Sequence, residues 1–182
     1  MPRPPHSLLW MWRPVALKTR LLARPSPINS EMPAFVVRKV ADCLNDDGKP
    51  VKRSRVLVLG VAYKKDIDDL RESPALEIIR LLQERGALVE YHDPFCPAIE
   101  DDGHTPIRGL PMHSVELTDE VLEAADLVLV VTDHTHVDYA RVSEKASIVV
   151  DTRGVMRNPA EHVVGLSRRA RAPEPPRLRL AV

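Results

Sequence analysis

Hydrophobic positions along the chain fall into alternating helical stripes and short continuous runs. Met32, Val36, Val40 and Leu44 recur at every fourth position, with Val37 and Ala41 beside them. That stripe predicts an amphipathic helix over residues 30–45, ended near Gly48 and Pro50. The next run, Arg55-Val-Leu-Val-Leu-Gly60, is apolar at consecutive positions and closed by glycine, which predicts a strand buried on both faces. Ser73 and Pro74 read as N-cap and first helical residue. Ala75, Ile78, Ile79 and Leu82 then form a second helical stripe, stopped at Gly86. Leu88–His92 predicts a second strand, followed by a loop rich in Asp, Gly and Pro. Thr118 opens a short helix through about Ala125, with Asp119 and Glu120 at its positive end. Leu127–Val131, a helix over Val137–Lys145 and a strand over Ser147–Asp151 complete the pattern. Strands alternating with helices, each strand apolar throughout, predict an α/β fold. It is an open, Rossmann-like parallel sheet with helices on both faces, preceded by a long amphipathic helix.

Composition bounds this picture. A chain of 182 residues has room for one domain with a substantial core, not two. Lys+Arg and Asp+Glu both number 26, so the formal net charge is zero, but the charges are segregated. Residues 1–27 carry +5, residues 28–156 carry −9 and residues 157–182 carry +4; ten of the 17 prolines lie in the two ends. The expected organisation is therefore a poorly ordered basic segment at 1–27, a helical portion at 28–50, an acidic α/β domain at 51–156 and a basic, Pro-rich tail at 157–182. The basic ends lack interleaved aromatic residues, so no specific nucleic-acid partner is expected. No apolar run reaches the roughly 18 residues of a membrane span, and Arg13 and Pro14 interrupt the N-terminal hydrophobics, so neither membrane insertion nor a secretory signal is expected. Cys43 and Cys96 have no partner at metal-ligand spacing, which argues against a disulfide framework or a zinc site and fits a reducing cytoplasm. Both read as packed residues, not nucleophiles. His134 and His136 flank a polar loop beside Asp133; with no third ligand at a convincing spacing, they read as a polar cluster and not a metal site.

Open parallel sheets bind ligands at the carboxyl ends of their strands. Here those ends are Gly60 onward, Asp93, Thr132-Asp133 and Asp151-Thr152-Arg153. The first loop has one glycine where the dinucleotide fingerprint GxGxxG has three, so the fold alone does not imply a dinucleotide site. The loop offers instead Tyr63, Lys64, Lys65, the acids Asp66, Asp68 and Asp69, and Arg71. An aromatic ring walls a base and cations hold phosphate. Simpler roles are open for each: Tyr63 as loop packing, Lys64 and Lys65 as solvated cations, Arg71 paired with Asp68 or Glu72, and Arg153 paired with Asp151.

The string Gly60-Val-Ala-Tyr-Lys-Lys-Asp-Ile-Asp-Asp-Leu-Arg-Glu-Ser-Pro74 resembles the C-terminal UDP-binding domain of the UDP-glucose/GDP-mannose (nucleotide-sugar) dehydrogenase family. Its flavour is closest to the bacterial UDP-N-acetylhexosamine 6-dehydrogenases. Ile28-Asn-Ser-Glu-Met-Pro33, Tyr91-His-Asp-Pro94, Thr132-Asp-His134 and Val150-Asp-Thr-Arg153 agree in order and spacing. The resemblance implies an enzyme with an N-terminal NAD-binding domain, a central helix used in dimerisation and this C-terminal domain. Such an enzyme oxidises the sugar C6 alcohol to a carboxylate in two NAD-dependent steps, through a thiohemiacetal on a catalytic cysteine. It implies UDP-sugar contacts by Tyr63, Lys64 and Arg153, and a reach from Arg71 to NAD held by the other domain. The sequence departs from the family in lacking that NAD domain. Pro5, Leu8, Trp10, Thr19-Arg20 and Ile28-Asn29 keep the family's register, which puts the catalytic cysteine immediately before Met1. The resulting expectation is a truncated nucleotide-sugar 6-dehydrogenase, inactive alone, with no catalytic residue of its own and no stable NAD binding. The alternatives are a stand-alone UDP-sugar-binding module, a module that joins a full-length dehydrogenase or a second copy through the 30–45 helix, and one half of a split enzyme.

Overall fold

In the computed structural model, residues 27–101, 107–156 and 160–166 are described. The expected basic segment before Pro27 and the tail beyond Leu166 lie outside them. Helix α1 (Pro27–Asp46) contains Pro33. The chain divides there into two units, and the second, which begins at Pro33, holds the sheet.

The remaining elements, in chain order, are β1 (Arg55–Leu59), α2 (Pro74–Glu84), β2 (Leu88–His92), β3 (Ala98–Ile99), β4 (Met112–His113), α3 (Asp119–Ala124), β5 (Leu127–Val130), α4 (Tyr139–Lys145), β6 (Val149–Asp151) and β7 (Val163–Gly165). Five of the strands form one sheet in the order β2-β1-β5-β6-β7, and every pairing in it is parallel.

Successive strand residues point to opposite faces, and each face has its own helices. On one face Val56, Val58, Leu127, Leu129 and Val150 pack with Val36, Val40 and Leu44 of α1 and Ile78, Ile79 and Leu82 of α2. On the other, Leu57, Leu59, Val128, Val130 and Val149 pack with Leu122 of α3 and Val142 of α4. This is the expected sandwich of helices on both faces of a parallel sheet. It also explains why β1 and β5 read as continuous apolar runs: neither face meets water. Cys43 and Cys96 are both free and buried, and both belong to the first core.

Three expectations need correction. The domain does not stop at 156, because Val163–Gly165 adds a fifth strand, β7, beside β6. The loop after β2 contains an antiparallel pair, Ala98↔His113 and Ile99↔Met112. The fourth helix begins at Tyr139 instead of Val137, because the Asp138 carboxylate caps it by accepting from the amides of Ala140 and Arg141.

Candidate functional site

The loop from β1 to α2 spans residues 60–73, long against the roughly two to six residues usual for such a connection. It is nonetheless tied down along its length. Gly60 leaves β1 at φ 78°, and a Cβ there would lie 2.2 Å from the Thr132 carbonyl oxygen. Only glycine permits the exits of β1 and β5 to approach this closely. Thr132 Oγ1 donates to the Ala62 carbonyl at 2.6 Å, and Tyr63 N–H donates to the Asp69 carbonyl at 2.7 Å. At the far end Ser73 Oγ donates to the Val61 carbonyl at 2.6 Å and accepts from Ala75 N–H, so one side chain both caps α2 and fastens the loop.

Asp93, at the end of β2, organises the centre. Its Oδ2 accepts from Val61 N–H at 2.7 Å, Ala62 N–H at 3.0 Å and the His134 ring at 3.0 Å. Its Oδ1 accepts from the amides of Phe95 at 2.8 Å and Cys96 at 3.0 Å. Burial alone would raise this carboxyl's pKa. The amides of Phe95, Val61 and Ala62, together with His134, outweigh burial and hold it below the usual carboxylate range. His134 is fully buried. Asp66 N–H donates to its Nδ1 at 3.0 Å, so the ring proton sits on Nε2 and points at Asp93. Thr135 N–H in turn donates to the Asp66 carboxylate at 2.8 Å. The histidine read as a loop polar residue is thus a core pin between two loops. Both of its nitrogens are engaged.

This arrangement bears on a dinucleotide cofactor. In dinucleotide folds the amides after the first strand cradle a pyrophosphate. Here the Val61 and Ala62 amides are taken by Asp93, the start of α2 is capped by Ser73, and Gly60 serves the contact with Thr132. With these groups engaged, the loop does not fit NAD.

The cations lie around this scaffold. Tyr63 is exposed, and the Lys64 ammonium sits 5.5 Å from its ring centroid. Arg153 follows β6, where the Asp151 carboxylate accepts from the amides of Arg153, Gly154 and Met156 and so fixes the turn. Its guanidinium is not paired with Asp151 as sequence reasoning allowed. It donates through Nε to Asp133 Oδ1 at 3.0 Å. The other Asp133 oxygen lies 3.9 Å from the Lys65 ammonium. Arg71 pairs with neither Asp68 nor Glu72. It forms a two-pronged bond with Asp69, Nε to Oδ1 and Nη2 to Oδ2, both at 2.9 Å. The Arg71 hydrogen bonds pull the Asp69 carboxyl down to about 2. The guanidinium stays on the surface, 89% exposed. Tyr139 Oη is buried without a hydrogen-bond partner among the described residues, and burial pushes its pKa up.

Neither thiol is placed for nucleophilic work. Burial raises the pKa of Cys43. Burial, reinforced by Asp93 and Asp68, pushes Cys96 up to about 12. A groove of about 510 Å³ beside Arg55, Gln83, Leu88 and Arg108 lies at the opposite, amino ends of β1 and β2.

The fold and rim define a class: an open parallel α/β domain whose first loop is braced by an internal carboxylate and whose strand ends present cations. The model of the UDP-glucose/GDP-mannose dehydrogenase family's UDP-binding domain matches residues 57–158, and the chain belongs to that family. The UDP-N-acetyl-D-mannosamine dehydrogenase of Escherichia coli K12 is 30% identical over 146 residues, covering 77% of this chain and 33% of that protein. The enzyme of the same name from Methanococcus maripaludis is 28% identical over 137 residues, 71% of this chain and 29% of its own length. Among solved structures, UDP-D-ManNAc dehydrogenase from Pyrococcus horikoshii superposes with a TM-score of 0.61 at 25% identity over 76% of this chain and 31% of its own. A UDP-glucose dehydrogenase from Pyrobaculum islandicum gives 0.58 at 30% identity over 80% and 31%. The chain therefore spans about a third of the length of the relatives it matches. No helix among the described residues is long and apolar enough to cross a membrane.

Proposed function

We infer that this chain binds the UDP part of a nucleotide sugar at the carboxyl ends of β1, β5 and β6. Lys64 and Arg153 meet the diphosphate, and the exposed Tyr63 ring walls the ligand. The observation that carries this reading is the position of the cations. They stand on loops that leave strands of one parallel sheet, within the segment matched by the UDP-binding domain model. The braced loop keeps Lys64 in place before a ligand arrives, so little ordering entropy opposes binding.

Oxidation of the sugar is assigned to groups outside these residues. Both thiols are buried with raised pKa, and the Val61 and Ala62 amides that would face a dinucleotide's pyrophosphate are taken by Asp93. Alone, the chain binds UDP-sugar without oxidising it, and a cytoplasmic setting suits both its two reduced thiols and its nucleotide ligand. Pairing with a second copy or a full-length dehydrogenase through α1 belongs to the same reading.

Calorimetric titration of the purified chain with UDP tests it. Saturable one-to-one binding is expected, weakened at least tenfold by Lys64→Ala and by Arg153→Ala, the loss of one charge-assisted phosphate contact each. No heat on titration, or wild-type affinity in both variants, removes the assignment. Formation of NADH from a UDP-sugar by the chain alone would overturn its inactivity.

A further inference from the structure

Lys65 and Arg153 come from different loops, yet they meet on one side chain. Asp133 leaves β5 between Thr132, whose hydroxyl is bonded across to Ala62, and His134, which is locked into the core. Its backbone is therefore fixed on both sides. One carboxylate oxygen takes Arg153 Nε at 3.0 Å and the other faces Lys65 Nζ at 3.9 Å. The bond to Arg153 runs through Nε, and the two terminal nitrogens make no hydrogen bond among the described residues. The Arg153 side chain is 52% exposed and that of Asp133 only 22%. The carboxylate thus sits behind the cation, on the protein side. A guanidinium held by Nε keeps its terminal fork for a second anion, which is the geometry that engages phosphate bidentately.

Resting on the UDP-binding reading above, we propose that Asp133 is the positioning residue of the diphosphate site. It holds Arg153 in a ready orientation by its acceptor oxygen, and it does not touch the ligand. Two effects oppose each other at such a residue. Its hydrogen bond removes the ordering cost of a long side chain, about two- to tenfold in affinity. Its negative charge repels the incoming diphosphate. The substitutions Asp133→Ala and Asp133→Asn separate them, because asparagine keeps an oxygen for Arg153 Nε and discards the charge.

The test is UDP affinity of the full chain by calorimetry, for wild type, D133A, D133N, R153A and the double variant D133A/R153A, with far-ultraviolet circular dichroism to check each fold. D133A is expected to bind about two- to tenfold more weakly than wild type, and D133N at least as tightly as wild type. In the R153A background, removing Asp133 is expected to bring no further loss, since its favourable effect runs through that arginine and only its repulsion of the diphosphate is left to remove. Wild-type affinity in D133A, equal losses in D133A and D133N, or a D133A loss that persists without Arg153 would each overturn the proposal and leave UDP binding intact. If D133A does not fold, D133N and R153A decide: an R153A loss with no D133N loss supports positioning, and a D133N loss overturns it. Absence of UDP binding by the wild type would remove both this inference and the reading it rests on.

Discussion

Replacing Asp93 with asparagine exchanges one carboxylate oxygen for an NH2 group at almost constant volume, so it probes the acceptor role of the site's central carboxylate. Five donors converge on that group: the amides of Val61, Ala62, Phe95 and Cys96, and the His134 ring. Asparagine has one acceptor oxygen. Its least costly orientation turns that oxygen to Val61, Ala62 and His134 and its amide nitrogen to Phe95 and Cys96. Two amide donors then face a donor. With Asp93 2% exposed and Cys96 1%, water does not replace the acceptor lost by the Cys96 amide, whereas the Phe95 amide is only part-buried. At roughly 1–3 kcal/mol for each orphaned buried donor, the loss is about 1–6 kcal/mol. Its upper end is a large share of the ~5–15 kcal/mol that holds a domain together, and it corresponds to a fall in Tm on the order of 10–20 °C. Urea unfolding followed by circular dichroism reads it as a lower midpoint at unchanged slope.

The same substitution carries a pH signature. The folded Asp93 carboxyl titrates below its unfolded value of about 3.9. Its stabilisation is therefore present above that pH and is lost as pH falls through the lower, folded value. The gap between wild type and Asp93→Asn is constant near neutrality and narrows below about pH 4. A loss under about 1 kcal/mol, or a gap that does not change with acid, would refute the argument that this carboxylate acts as the acceptor hub.

Other outcomes follow from the same geometry. Gly60→Ala places a methyl group 2.2 Å from the Thr132 carbonyl at positive φ; it is expected to cost at least about 2 kcal/mol in urea unfolding, and a shift under half that would show that the β1 exit relaxes. Cys43 and Cys96 are expected to react with Ellman's reagent only after unfolding, two thiols per chain in urea and none in the first minutes in buffer; a rapid native equivalent would contradict their burial. Ile79, fully buried against the sheet, is expected to cost about 2–5 kcal/mol on change to alanine, again by urea midpoint, and a cost under 1 would place α2 outside the core.

The sheet and the anchoring residues of the site were unequally legible in the sequence. β1 and β5 announce themselves because burial on both faces demands apolar side chains at every position. β7 is three residues ending in glycine beside a basic stretch, and β3 and β4 are two residues each; backbone pairing to a distant partner makes them, and no pattern in the chain records it. The cations Lys64, Lys65 and Arg153 were visible as charges just after strands. The residues that hold them were not, because an acceptor such as Asp93 acts on amides 32 and 31 positions away at Val61 and Ala62. A signal did exist. Asp93, Asp133 and Asp151 each stand at or just beyond a strand's carboxyl end, where amide donors converge and an anion is favoured. An acid placed there is itself the anion for part of the site, so the sites left for an external phosphate are those the protein has not filled from within.

β7 has a practical consequence for anyone dividing this chain into pieces. It pairs with β6 through Val149↔Val163, Val150↔Val164 and Asp151↔Gly165, but the matched family segment ends at residue 158. A fragment cut at that point would leave β6 as a bare edge, with an open ladder of amides and carbonyls between two apolar faces, the kind of edge that recruits strands from neighbouring molecules. Such a fragment would be sticky for reasons unrelated to its ligand. The shortest piece suited to binding work extends through at least Leu166.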